Sequence, residues 1–317
     1  MKLKHIYEIF IREGIKSDPR KPEQIRKTLQ DKLKEYRKQR TAARKFFDSE
    51  RFRNPYADLR ILNGDPQLEV KRMLVGIDID VGELVMADRM AQKGEGFDLV
   101  LAHHPKGIAL AGLDDVMRLQ TDLLVNLGIN ESIANDLMGK RIQEVARNLH
   151  SANHARVVDA ANLLNIPLMC CHTPADNHVA RYLQKLVDSQ KPKTLGQIVQ
   201  LLMQEPEYRS AAALQAGPQV LIGKAKSKAG KVLVDMTGGT EGSKDVFARL
   251  SQLGVQTLLG MHYSQEHFRR IKSEHINVVN AGHIASDNLG MNLILDRLTK
   301  KEDIEIVCCS GFRRFKR

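Results

Sequence analysis

Three apolar segments of this chain stop at residues that bind metals. Leu99-Val100-Leu101-Ala102 runs into His103-His104-Pro105, and Leu168-Met169-Cys170-Cys171 runs into His172-Thr173-Pro174-Ala175-Asp176. Asn277-Val278-Val279-Asn280-Ala281-Gly282 runs into His283, with Asp287 four residues on. Imidazole plus carboxylate suits Zn, Fe, Mn or Co, whereas an all-oxygen set would suit Mg or Ca. Two consecutive imidazoles can serve two different ions, and Pro105 keeps His104 extended. A pair of divalent ions ~3.5–4 Å apart needs carboxylates to bridge it and offset its charge. Asp176 and Asp287 supply them. Each residue alone has a plainer reading: either Asp can cap the helix that follows it, and a single His can be a hydrogen-bonded core residue. Taken together, His103, His104, Asp176, His283 and Asp287 are the expected ligands of two divalent ions.

Around them, His172, His262 and Glu241 are the candidates for proton transfer. His267 and His178 are lesser ones, and Glu266 and His275 read as surface residues. The turn Thr237-Gly238-Gly239-Thr240-Glu241-Gly242-Ser243 joins a strand to a helix. Its N–H groups can hold a phosphate or simply make a tight turn, and it lacks the full phosphate-loop pattern. No Ser-His-Asp order or activated Cys demands a covalent route. The absence of G-x-G-x-x-G after the first buried strand argues against a dinucleotide-dependent oxidoreductase.

The elements that must position these residues follow from periodicity. Residues 4–16 and 22–47 read as helices, the second with a narrow stripe of Ile25, Leu29, Leu33 and Tyr36. Asn54-Pro55 and Asn63-Gly64-Asp65-Pro66 are turns. Strands are expected at 73–80, 97–104, 166–172, 218–225, 231–236, 255–262, 276–283 and 304–310, with helices between most of them. Helices at 113–128 and 130–165 separate the second strand from the third. This alternation is the grammar of an α/β fold with mainly parallel sheets flanked by helices, and function gathers at the carboxyl ends of such strands.

Composition bounds the rest. The chain has 317 residues, no Trp and 5% aromatics, so its core is aliphatic and large enough for two lobes. No apolar run is long enough to span a membrane, so no membrane partner is expected. The cysteines occur as Cys170-Cys171 and Cys308-Cys309, each pair in a strand-like run. Four reduced thiols and a cytoplasmic location are expected, with one of each pair buried. The net charge of +11 is concentrated at the two ends. Residues 1–60 hold 18 Lys/Arg against 9 Asp/Glu, and the tail GFRRFKR adds +4. These ends read either as a solvated helix and loose tail or as a nucleic-acid surface.

The ordered set LVLAHHP, CCHTPAD, VDMTGGTEGS and NAGHIASD, with MKLKHIYEIF at the start and NGDPQLEVKRMLVGIDID before the first motif, resembles the Nif-three-like proteins, also described as GTP cyclohydrolase I type 2 homologues. The resemblance implies two α/β lobes with the metal site between them, commonly assembled as a toroidal hexamer. It places the family's metal pattern on His103, His104, Asp176 and His283, and puts His172 beside the ligands. Asp287 stands where the family usually has Glu; a side chain ~1.5 Å shorter brings bridging into question. On this reading 1–16 is the first helix of the body, 17–60 a basic helical insertion, 61–112 the first part of lobe one and 113–160 a helical insertion. Residues 161–215 connect, 216–310 form the second lobe with the closing ligands, and 311–317 are a basic tail. The expected function is metal-dependent hydrolysis of a small molecule or nucleotide, GTP by resemblance. The alternative is a non-catalytic metal-bearing adaptor, nucleic-acid-associated through residues 17–60 and the tail.

Overall fold

The computed structural model describes all 317 residues. Nine strands form two sheets: β1 (Leu59–Asn63), β2 (Arg72–Gly76), β3 (Leu99–Ala102), β4 (Leu168–Cys171), β5 (Gln219–Ile222), β6 (Lys231–Asp235), β7 (Val255–Gly260), β8 (Asn277–Asn280) and β9 (Glu305–Cys309). The first sheet has the order β1-β4-β3-β2-β9 and the second β5-β8-β7-β6. Each is parallel except for one antiparallel edge strand, β1 against β4 and β5 against β8. The protein is therefore α/β, with two mainly parallel sheets flanked by helices. No helix is long and apolar enough to cross a membrane.

Two helices join the sheets. Thr173–Gln190 leaves the end of β4, and His283–Thr299 follows β8. Met291, Ile294, Leu295 and Leu298 pack with the first helix, Leu3–Ser17, and the first sheet. Ala285 and Leu289, on the same helix, pack with Val179 and Leu183 against Leu259 and Val279 of the second sheet. One helix thus belongs to both cores. The two helices approach so closely that a Cβ on Gly290 would lie 2.5 Å from the Ala175 carbonyl oxygen. Gly290→Ala should therefore push them apart at a cost of ~1–3 kcal/mol. Because Ala175 adjoins Asp176 and Gly290 is one helical turn from Asp287, metal affinity should fall with stability. Thermal unfolding and metal titration of the variant check this; a normal melting curve would mean the helices have slack.

Several expectations change. β1 lies outside the expected strands; its pairing with β4 sets it, and its side chains face both cores, Leu59 and Ile61 one and Leu62 the other. The helix Pro206–Ala213, opened by Pro206, lies outside the expected elements. Helix Thr173–Gln190 starts directly after His172, so Asp176 lies in its first turn and does not cap it. Asp287 likewise lies inside its helix. Cys170 and Cys171 are both buried, because helices cover both faces of β4; Cys308 is exposed on the edge strand β9 and Cys309 is half-buried. All four thiols are free.

The tail is docked, not loose. Arg317 forks onto the buried Glu207 at 2.6 and 2.7 Å and reaches Glu205 at 2.9 Å. Arg314 pairs with Asp296, and Phe312 is buried. Part of the basic N-terminal charge is also consumed. Lys32 and Arg51 pair with Asp115, and Arg20 bonds Asp18 and faces Asp122 at 3.5 Å. Asn126 donates to Gln24 at 3.0 Å. The two segments expected as insertions therefore pack on each other.

Candidate metal centre

The carboxyl ends of β3 and β4 face the carboxyl end of β8 across the gap between the sheets. Past the end of β3 the chain still runs beside β2: the N–H groups of His103 and His104 donate to the carbonyls of Gly76 and Ile77 at 2.9 and 3.0 Å. This holds both imidazoles at the strand end, ring centroids 5.1 Å apart. His172 packs 4.9 Å from the His103 ring, and His283 packs 5.2 Å from the His104 ring.

The outer nitrogens of three rings are tied down. His103 Nδ1–H donates to the Cys171 carbonyl at 3.1 Å. His104 Nδ1–H donates to Asp78 at 2.6 Å, and His172 Nδ1–H to Asp58 at 2.9 Å. A neutral ring that donates from Nδ1 presents a bare Nε2 lone pair, the tautomer a metal requires. Those Nε2 atoms point inward. His103 Nε2 lies 3.5 Å from Asp176 Oδ1 and 3.5 Å from Asp287 Oδ1. His104 Nε2 and His283 Nε2 each lie 3.5 Å from Asp287 Oδ2, and His172 Nε2 is 3.7 Å from Asp176 Oδ2.

These spacings are long for hydrogen bonds between charged partners. They suit atoms that share an ion: two ligands ~2.0–2.2 Å from one metal lie ~3–3.5 Å from each other. His103 Nε2, Asp176 Oδ1 and both Asp287 oxygens are buried and lack a hydrogen-bond partner in the protein. Buried orphans of this kind are costly unless a ligand satisfies them. Three sets have ligand atoms within 4.8 Å of one another: His103, His104 and His172; His104, His283 and Asp287; His103, Asp176 and Asp287. The residues present fit a divalent metal. Asp287 belongs to two of the sets, one oxygen facing each.

The electrostatics show the same strain. Burial drives Asp176 up to about 8, with the charge of Asp287 adding to it and His103 opposing it. Burial works against Asp287 too, but the imidazoles of His103, His104 and His283 outweigh it and hold that carboxyl far below the usual range. Burial lowers His104, yet Asp287 and Asp78 raise it to about 9 overall. His283 is pushed down to about 4, chiefly by burial, with the neighbouring His262 and His104 adding to it. Two buried carboxyl groups cannot both ionise comfortably here without added positive charge.

All five expected ligands are thus brought together, and His172 stands among them. His262 is half-exposed at the rim, its ring 4.6 Å from that of His283, and Glu241 lies 3.6 Å from its Nδ1. Glu241 accepts from the Ser264 N–H at 2.6 Å. Burial opposes its charge, but His262 and Ser264 outweigh that and lower it to about 2. A carboxyl depressed in the folded state contributes stability above its ordinary range, and loses it as pH falls toward about 2. Glu241→Gln should therefore cost ~1–2 kcal/mol at neutral pH, discounted for its solvent access, and nothing near pH 2. Chemical denaturation at several pH values reads this; an equal loss at every pH would assign the cost to packing alone.

His267 Nε2–H donates to the Gly242 carbonyl at 3.0 Å and its Nδ1 accepts from the Ser264 hydroxyl at 2.8 Å, a structural role beside the site. His178 bonds Ser17 and is absent from the cavity walls. Glu266 is exposed and pairs with Lys244; His275 sits in a turn at φ 56°. The Gly-rich turn is braced from outside: Gln120 Nε2 donates to the carbonyls of Gly238 and Thr240 at 2.8 and 2.6 Å, and the helix after it, Val246–Gln252, is short. Asp58 and Asp78 escaped the sequence reading. Asp78 carried a usable signal, an acid at the end of an apolar strand. Asp58 did not, because β1 itself was unseen.

The sheets and the cluster define an α/β protein with a metal-competent His/Asp centre at converging strand ends. A model of the Duf34/NIF3 (NGG1p interacting factor 3) family matches residues 128–312, more than half of the chain, and the chain belongs to that family. Among solved structures, a NIF3 superfamily protein from Sphaerobacter thermophilus is 29% identical with a TM-score of 0.70, over 80% of this chain and 91% of that one. Reduced HcgD from Methanocaldococcus jannaschii shares the fold at 14% identity and a TM-score of 0.50, over 79% of this chain and 88% of that one. No curated protein matches the chain.

Proposed function

We propose that this protein is a metal-dependent hydrolase whose centre holds two divalent ions, with Zn, Fe, Mn and Co the suited metals. The supporting observation is the division of Asp287, whose two oxygens face His103 on one side and His104 with His283 on the other. On this reading Asp176, His103 and Asp287 would hold one ion, and His104, His283 and Asp287 the other. What supports a shared role for the shorter Asp is that its two oxygens lie 3.5 Å from imidazoles of both sets. Bound there, such ions polarise an electrophile and make water acidic enough to attack near neutral pH.

The chain's own residues do the rest. Asp58 and Asp78 orient imidazoles and keep their Nε2 atoms bare. His172 lies beside Asp176 and adds an imidazole to the first set. His262, at the rim and held by Glu241, accepts a proton from water or returns one to a leaving group. The basic segments favour a nucleic-acid partner less than their charge suggests, since several of their cations are paired within the chain.

The test is to strip the protein with a chelator, restore each metal in turn, and assay esters, amides, phosphoesters and GTP. Two equivalents of metal and turnover that returns with metal are expected, with His104→Ala holding one equivalent or none. Full occupancy without turnover on any substrate class would leave the metal centre and remove the hydrolase.

A further inference from the structure

The metal centre opens into a cavity of about 450 Å³ whose far wall is not built from the two sheets. Leu113, Leu123, Leu124, Leu127 and Met138 come from the helices between β3 and β4, and Phe247 comes from the helix Val246–Gln252. The segment expected as a helical insertion, 113–160, roofs the site. The roof is held off the floor by polar struts. Gln120 donates to the Gly238 and Thr240 carbonyls, and Arg141 Nε donates to the Glu241 carbonyl at 3.0 Å. Side chains below these struts enclose space without filling it. The basic segment braces the roof from outside through Lys32 and Arg51 on Asp115.

The charge of this chamber is informative. Lys106 is the single Lys or Arg among its walls, against the carboxylates of Asp176, Asp235, Glu241 and Asp287. Two divalent ions would be offset by those four carboxylates, leaving little positive charge for a triphosphate. Phosphate sites ordinarily add Arg, Lys or a Gly-rich N–H cradle at the start of a full helix, and here the helix after the Gly-rich turn, Val246–Gln252, has only 7 residues. A volume of this size with an apolar wall and polar groups at one end suits a small organic ligand.

Resting on the hydrolase reading above, we infer that the substrates are esters or amides with an apolar acyl arm seated under the Leu113–Met138 roof, not nucleoside triphosphates. In the reaction, water adds its oxygen to the acyl carbon and the C–O or C–N bond breaks. The products are a carboxylic acid and an alcohol or amine, and the proton lost by water goes to the leaving atom.

Two measurements on the full chain separate the chamber from the chemistry. Binding of neutral straight-chain alcohols, butanol to octanol, to metal-stripped protein is followed by calorimetry; affinity should rise roughly three- to fourfold per methylene. Turnover of p-nitrophenyl esters, acetate to octanoate, by the metal-loaded protein should rise with chain length in kcat/KM. Leu127→Trp, which grows into the open space, should cut the octanoate-to-acetate ratio at least tenfold, and Leu123→Ala should shift the preference toward longer chains. Flat alcohol binding overturns the chamber even if hydrolysis is found. Graded alcohol binding without ester turnover supports the chamber and counts against the hydrolase. GTP turned over better than every acyl ester overturns the substrate class.

Discussion

Asp287→Ala should empty the metal centre. The residue is buried, neither of its oxygens has a hydrogen-bond partner, and each faces a different imidazole set at 3.5 Å. It is the one carboxylate common to both sets that contain an acid, so its loss removes the anionic charge that would let two cations sit close together. Metal content should fall from two equivalents to less than one, with affinity reduced beyond the ~100-fold that loss of a supporting residue causes. Turnover should fall with it. The thermal shift between stripped and loaded protein, worth ~2.7 kcal/mol when metal stands at 100 times Kd, should vanish. Asp287→Asn keeps the volume and removes the charge, so an equal loss in that variant assigns the effect to ligation and not to packing. A variant that still holds two equivalents would show that the carboxylate is not shared.

Asp58 should produce the second-largest effect although it touches neither cluster of ligand oxygens. It is fully buried and takes the Nδ1–H of His172 at 2.9 Å, the Thr173 hydroxyl at 2.6 Å and the Thr173 N–H at 3.2 Å. Burial opposes its charge, but those bonds from His172 and Thr173 overcome it and keep the carboxyl below its ordinary range. Asp58→Ala leaves three buried donors unpaired, and ~3–5 kcal/mol of stability should be lost. Asp58→Asn should fold better, because its carbonyl oxygen can still accept. Its amide NH₂ can also face the His172 ring, which then turns its lone pair outward. Metal affinity in that variant should drop ~10–100-fold. Metal titration of the folded Asn variant distinguishes the roles; unchanged affinity would reduce Asp58 to a packing residue.

Much of the centre was legible because its signals are local. A strand that ends in His-His-Pro, another that ends in His-Thr-Pro-Ala-Asp, and a helix start with His and Asp four apart can each be seen within seven residues. The parallel alternation that brings such ends together is a matter of periodicity, and buried strands such as Leu99–Ala102 declare themselves by unbroken apolar runs. Less visible were features that depend on a partner far along the chain. β1 is a strand because β4 pairs with it, and Asp58 matters because β1 places it under His172. The burial of both Cys170 and Cys171 depends on helices covering both faces of one strand. The tail reads as free basic charge until Glu205, Glu207 and Asp296 are found beneath it.

By itself, then, the order of residues specified which side chains could ligate metal, the α/β class that sets them at strand ends, and the aliphatic core. Those properties are carried by side-chain type and by repeats a few residues long. Tertiary structure alone decided that Asp287 faces two imidazole sets, that Asp58 and Asp78 orient the rings, and that the helices after β3 roof the site with leucines. Each of these depends on distances between segments separated by tens to hundreds of residues, and such distances exist only once the chain has packed.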